Sequence, residues 1–374
     1  MTASDVQGAQ EAGDALAERL FKATIEALEL YHVYLGDQLG LYQALHGAGT
    51  ATAAELAEAT GIAERYAREW LEQQAVTGIV EVAEDPGGDD TRRYRLPAGH
   101  AEVLLDRDSL RYMAPLAGGV ASVGSVLPAV MDAFRSGGGV PYEDYGAGVR
   151  GFISGINRPM FLHQLGSQWV PAMPEVHARL QADPPARVAD VGCGTGWSCI
   201  GLALAYPRAV VHGLDLDEAS VAEARHNAAA AGVADRVEFA VRDAAHPDLA
   251  GRYDLVCAFE TIHDMADPVG ALAAMRALRA EGGAVLVGDE KVAEAFTAPG
   301  DELERWNYAW SAVHCLPVGM IEPPGSPRRP GVPAGTGTVI RPSTLRRYAV
   351  EAGFTGVEVL PIENDFWRFY RLVG

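Results

Sequence analysis

Two histidines and the acids around them carry the chemical interest of this chain. The segment Glu260-Thr261-Ile262-His263-Asp264-Met265 follows directly on an apolar run, and His314 lies further on in Trp310-Ser311-Ala312-Val313-His314-Cys315. Asp267-Pro268 already supplies an N-cap and a first-turn proline for the next helix, so Asp264 is free for something other than capping. An imidazole beside a carboxylate suits proton removal from an acceptor. Two imidazoles and a carboxylate converging on one point would instead be a facial ligand set for mononuclear iron or zinc. A second constellation lies upstream. The run Arg187-Val188-Ala189-Asp190-Val191 meets Gly192-Cys193-Gly194-Thr195-Gly196 at once, and a second run ends in Asp215, 23 residues after Gly192. Glycines at such a turn let a ligand approach the backbone, and an acid ending the next strand suits a ribose diol.

These residues need a scaffold, and the pattern supplies one. From Pro185 onward apolar runs alternate with helical segments: 187–191, 210–215, 237–241 leading to Asp243, 253–259 and 283–287. Runs 356–360 and 366–372 are too closely linked for a crossover helix and read as an antiparallel hairpin. The expectation is an α/β fold with an open, doubly wound sheet. Upstream, a helix is expected from Asp14, with Phe21, Ile25, Leu28, His32, Leu35 and Leu39 on one apolar stripe that suits a second subunit. His32 reads as a packed, hydrogen-bonded side chain.

Helices over 38–45, 53–60 (capping box Thr52/Glu55, stop at Gly61) and 64–77, then runs 79–82 and 92–96, follow in the order of a mostly α winged helix. Its third helix sets Arg65 and Arg68 against Glu64, Glu69 and Glu72, so it brings no basic surface to DNA. Residues 110–180 read as mostly helical, with 137–142 a turn. Residues 322–337 hold five prolines and four glycines, a loop or lid. The boundaries expected are 1–108, 109–180 and 181–374.

Composition narrows the partners. The 374 residues carry a formal charge of −20, which repels nucleic acid and anionic membranes. The N-terminus has acids where a signal peptide has bases, and the four cysteines show no CxxC spacing, so a cytoplasmic protein is expected.

The glycine turn, Asp215, Asp243 and the terminal hairpin resemble the class I S-adenosylmethionine-dependent methyltransferases, whose sheet is Rossmann-like and seven-stranded, over 185–374. The resemblance implies that Asp190, Gly192 and Gly194 line the methionine end. It places the ribose at Asp215 with Leu216 and the adenine at Asp243 with Ala244, and puts Phe259 in the cofactor wall. The His-Asp pair is similar to that of small-molecule O-methyltransferases with a winged-helix dimerisation domain, in which the histidine is the general base. Met265 stands where those have tryptophan.

The whole chain also resembles metal-dependent α-keto acid C-methyltransferases of peptide-antibiotic pathways, including a non-haem-iron phenylpyruvate methyltransferase. That likeness implies His263, Asp264 and His314 as ligands of iron or zinc, with the metal stabilising an enolate for methylation at the β-carbon. Tyr142 and Arg150, or Arg158, would meet the substrate. Two enzymatic readings therefore stand: keto acid C-methylation on a metal, and metal-free O- or N-methylation with His263 as base. A regulator using the fold as a ligand sensor is the reading from another class. A small-molecule acceptor and a homodimer are the partners expected.

Overall fold

The computed structural model describes residues 2–242, 250–321 and 335–374. Asp243, Ala244 and most of the Pro/Gly segment lie outside the described residues. The chain divides into two compact units, residues 1–121 and 122–374, with the division inside helix α6 (Ala114–Ser136).

The first unit is a winged helix. α1 (Ala3–Gln38) is followed by α2 (Leu41–Ala48), α3 (Ala53–Thr60) and α4 (Glu64–Val76), then by the hairpin β1 (Glu81–Glu84) and β2 (Arg93–Arg95) and by α5 (Ala98–Leu105). α1 starts eleven residues before the expected Asp14, because Thr2 and Asp5 form a capping box and Gln7 bonds Glu11 one turn on. Thr52 and Glu55 form the expected box on α3, and Gly61 ends it in the left-handed region. The core here is Val33, Leu41, Tyr42, Leu45, Leu56, Trp70, Leu71 and Tyr94 with their neighbours.

The expected stripe on α1 is not part of this core. Phe21 is 68% exposed and Leu28 53%. His32 is half-buried, and its Nδ1 bonds the Leu28 carbonyl of its own helix. On α4, Arg65 pairs with Glu69, and Arg68 with Glu64 and Asp90, so neither arginine is free for phosphate.

The second unit opens with the remainder of α6; over its full 23 residues that helix is long and apolar enough by length and composition to cross a membrane. Val123, Val126, Val130 and Ala133 on its face pack with Val140, Tyr145 and Val149. A 3-10 turn (Tyr142–Tyr145), α7 (Gly146–Met160), its π-helical continuation Phe161–Trp169, and α8 (Pro174–Gln181) lead to the sheet.

The strands are β3 (Arg187–Val191), β4 (Val210–Asp215), β5 (Val237–Val241), β6 (Tyr253–Phe259), β7 (Arg279–Glu290), β8 (Gly356–Val359) and β9 (Trp367–Val373), in the order β5-β4-β3-β6-β7-β9-β8. β9 runs antiparallel to both β7 and β8, and the other pairings are parallel. Helices α9 (Trp197–Ala205), α10 (Glu218–Ala230), α11 (Pro268–Leu278), α12 (Glu302–Trp310), α13 (Leu316–Gly319) and α14 (Pro342–Glu351) complete the unit.

Alternation along the strands builds two cores. Val188, Leu255, Cys257 and Phe259 join Trp169 and Ile200 on one face, while Ala189, Val256 and Ala258 join Leu272 and Leu345 on the other. The strand order reverses direction between β3 and β6. In open sheets a crevice for ligand forms outside the carboxyl ends at such a point.

Candidate active site

A cavity of about 780 Å³ opens where β3, β4 and β6 end, lined among others by Gly192, Gly194, Asp215, Glu260, Asp264 and Tyr142. Three glycines of the β3 turn have left-handed backbones, with φ of +72° at Gly192, +50° at Gly194 and +84° at Gly196. A Cβ on Gly192 would overlap the Thr261 side chain, and one on Gly196 would run into Phe239. At Gly194 a Cβ would meet open space, so the backbone there is bare to the cavity. Asp215 is aligned by its neighbours: Oδ2 accepts from the Gly194 N–H at 2.8 Å and Oδ1 from the Asp217 N–H at 2.9 Å. Burial pushes its carboxyl above the usual range. Leu216 is exposed along the rim and Phe259 forms part of the wall. These residues fit an adenosyl ligand: a glycine turn that lets a ligand approach the backbone closely, then an oriented acid at the end of the next strand.

Asp190 departs from its expected place. It does not line the cavity but is buried behind the turn, where Ser198 donates to it, with the Cys199 and Cys257 thiols at 3.5 and 3.6 Å. Burial raises it to about 6. It braces the start of α9. Arg150 lines the cavity but is already engaged, with Asp217 at 3.3 Å and Glu223 at 3.7 Å, so it is not a free anchor for a substrate carboxylate. The Arg158 guanidinium lies 4.0 Å over the Trp197 ring.

Beyond Thr261 the chain turns once through Ile262–Asp264 and brings titratable groups together. His263 is 2% exposed and gives its Nδ1–H to Asp289 Oδ1 at 2.5 Å. Burial works to lower its pKa, yet the facing Asp289 carboxylate carries it well above the ordinary value. Asp264 faces the cavity. Burial, with Asp289 and Glu260 nearby, raises it to about 7 against the opposing pull of His263.

His314 sits on the π-helical turn Ser311–Cys315, its ring edge-on to Tyr145 at 4.6 Å and to Tyr142 at 6.0 Å. Burial lowers it to about 4, and its Nε2 has no hydrogen-bond partner among the described residues. Cys315 lies between the two histidines, 3.4 Å from His314 Nδ1 and bonded to His263.

The expected ligand set is thus gathered into one neighbourhood without facing one point. His263 is committed to Asp289, Asp264 looks into the cavity, and His314 packs against tyrosines. Among the described residues no group of three or more His, Cys, Asp or Glu side chains is arranged to hold a metal ion. The donor set as it stands does not fit one.

Two residues escaped the sequence reading. Asp289 lies near the carboxyl end of β7, with only the acids of an apolar strand's tail as its signal. Glu260 has φ +52°, the only non-glycine residue in the left-handed region among the described residues. The buried Asn157 donates to its carboxyl, and it shares a hydrogen bond with Glu290; burial raises both acids.

Residues 182–325 match the family model described as a methyltransferase domain, and residues 27–106 match that of an Rv2258c-like winged HTH domain. The release factor glutamine methyltransferase of Cereibacter sphaeroides is 43% identical over 96 residues, 25% of this chain and 32% of that protein. The ubiquinone biosynthesis O-methyltransferase of Azotobacter vinelandii is 31% identical over 124 residues, 33% of this chain and 50% of that one. The matches thus span half or less of these curated relatives.

Among solved structures, the mitomycin 7-O-methyltransferase MmcR aligns with 97% of this chain and 99% of its own at a TM-score of 0.67 and 19% identity. Human N-acetylserotonin methyltransferase, solved with S-adenosylmethionine, aligns over 96% and 97% at a TM-score of 0.62 and 16% identity. The fold is that of these enzymes, with the match to a methyltransferase domain following that to a winged helix-turn-helix domain along the chain.

Proposed function

We propose that this chain transfers the methyl group of S-adenosylmethionine to an oxygen of a small-molecule acceptor, with His263 as proton acceptor. The observation that carries the reading is the buried His263–Asp289 pair, adjoining a cavity whose glycine turn and Asp215 suit the donor. S-adenosylmethionine, when bound, supplies an electrophilic methyl on a positively charged sulfur. The open backbone surface at Gly194 and the aligned Asp215 would hold the amino acid and ribose parts. Phe259 and Trp197 would keep water from the reacting centre. Asp289 fixes one tautomer and direction of the His263 ring, and Nε2, which Cys315 now meets, would be the atom that receives the acceptor proton. A positive charge in the cavity opposes protonation of His263 and so keeps that nitrogen available. The solved neighbours that methylate oxygen by their own names support this choice over carbon.

The test is S-adenosylhomocysteine formation with a panel of phenols, aliphatic alcohols, amines and keto acids. A phenol or alcohol should be consumed by the wild type, and His263→Gln should lose that activity. Turnover of keto acids only would overturn the reading.

Two observations favour the metal-assisted C-methylation of an α-keto acid as a second reading. His314 Nε2 is buried and unpartnered among the described residues, and His263 has the carboxylate support common for metal-bound imidazoles. Stoichiometric iron or zinc in the purified chain, lost in His314→Ala, with phenylpyruvate turnover, would install it. A cytoplasmic homodimer that binds neither nucleic acid nor membrane completes the proposal, supported by the apolar seam of α1 and the charge of −20.

A further inference from the structure

The carboxylates around the cavity differ in what holds them. Asp215 takes two backbone N–H groups, and Asp217 caps α10 and meets Arg150. Asp267 accepts from the Gly270 N–H at the start of α11. Glu260 takes Asn157 and Glu290. Asp264 faces the same space with neither a hydrogen-bond donor nor a Lys or Arg partner among the described residues. Its cationic neighbour is His263, which already answers Asp289. Arg150 cannot turn to it without leaving Asp217 and Glu223. Once ionised, Asp264 therefore carries a charge on this wall with no Lys or Arg partner among the described residues.

On the reading above, the ligand that enters carries a positive sulfur and leaves neutral, and methyl transfer changes little else about it. We propose that Asp264 is a specificity-determining residue through which the cavity holds the charged donor more tightly than S-adenosylhomocysteine, so that transfer itself loosens the product. The methyl group alone, as buried apolar surface, is worth about fourfold in affinity. A partly buried opposite charge a few ångströms away adds roughly tenfold or more. The two contributions separate on substitution, since Asp264→Asn removes the second and keeps the first.

The experiment is calorimetric titration of the full chain with S-adenosylmethionine, S-adenosylhomocysteine and sinefungin, which carries an amine cation in place of the methylsulfonium. The wild type should favour both cationic ligands over S-adenosylhomocysteine by at least about tenfold. Asp264→Asn should cut the preference for the donor to about fourfold or less. It should do so by weakening the cationic ligands while S-adenosylhomocysteine stays within about twofold, which also reports an intact fold. Equal affinities in the wild type, or equal weakening of all three in the variant, would overturn the proposal while leaving the methyltransferase reading in place. Failure of the wild type to bind any of the three would instead overturn that reading, and the proposal with it.

Discussion

Replacing Asp289 by asparagine removes one charge and almost no volume. Oδ1 accepts from the His263 ring at 2.5 Å and from the Glu290 N–H at 2.8 Å, while Oδ2 has no partner among the described residues. An asparagine oxygen can keep both bonds, so the ring stays in place and only the charge is lost. At an effective dielectric of about 20, opposite charges some 4 Å apart attract by about 4 kcal/mol, nearly three powers of ten in proton affinity. Transferred in part to the transition state, that predicts a fall in kcat of about 10²–10³.

The pH profile should move as well. Asp289 raises the proton affinity of His263, so the rising limb of activity shifts to lower pH in Asp289→Asn even as the plateau falls. Stability should fall as well near neutral pH, because the raised proton affinity that Asp289 gives His263 in the folded state is lost with it. Relief of the repulsion between Asp289 and Asp264, Glu260 and Glu290 offsets part of that loss, so the variant should melt below the wild type near pH 7 and approach it at high pH. Product formation across pH 6–10 and differential scanning calorimetry measure both. A kcat within threefold of wild type, or a limb that stays put, would refute the role given to the pair.

Three further outcomes follow from the same geometry. Asp264 sits at about 7 against an ordinary 3.8, so the folded state keeps a proton that the unfolded chain releases, and stability drains as pH rises between those values. Asp264→Asn should therefore gain stability over the wild type from about pH 4 upward, levelling near pH 7 at a ceiling of roughly 4 kcal/mol, read from denaturant midpoints. Gly201→Ala should cost about 1–3 kcal/mol in the same assay, because its Cβ would overlap the Phe161 carbonyl where α9 packs on the π-helical segment. Phe21→Asp with Leu28→Asp should convert a dimer to a monomer in sedimentation velocity, with helix content unchanged by circular dichroism, if the exposed seam of α1 is where a second copy binds.

The strands that hold the cavity were legible because they are buried on both faces. Arg187–Val191, Val210–Asp215 and Tyr253–Phe259 are near-continuous apolar runs with abrupt polar ends, and each occupies its expected bounds. β7 was not so legible. Its apolar centre is 283–287, but the strand runs from Arg279 to Glu290 and its last three residues are Gly288, Asp289 and Glu290. Apolar patterning stops at the glycine, whereas the pairing with β9 continues from Asp289 to Arg368 and from Glu290 to Trp367. The partner of His263 lay in that polar extension. The likeness to small-molecule O-methyltransferases could suggest a base at His263, but tertiary pairing alone shows what orients it. The metal expectation goes unsupported for a related reason: the fold brings His263, Asp264 and His314 into one neighbourhood, and only side-chain direction decides whether they share a point.

Strain marks the same edge. A non-glycine residue in the left-handed region costs about 1–3 kcal/mol and persists only where the surroundings over-determine it. At Glu260 they do. Its N–H is bonded to the Gly288 carbonyl, its carboxyl is held by Asn157, and the next residue, Thr261, fills the space a Cβ on Gly192 would need. The turn after β6 is thus clamped to β7 on one side and to the glycine turn of β3 on the other. That clamp fixes the direction in which His263 and Asp264 diverge, one toward Asp289 and the other into the cavity. The strained residue therefore separates proton acceptance at His263 from recognition of donor charge at Asp264, although the two are adjacent in sequence.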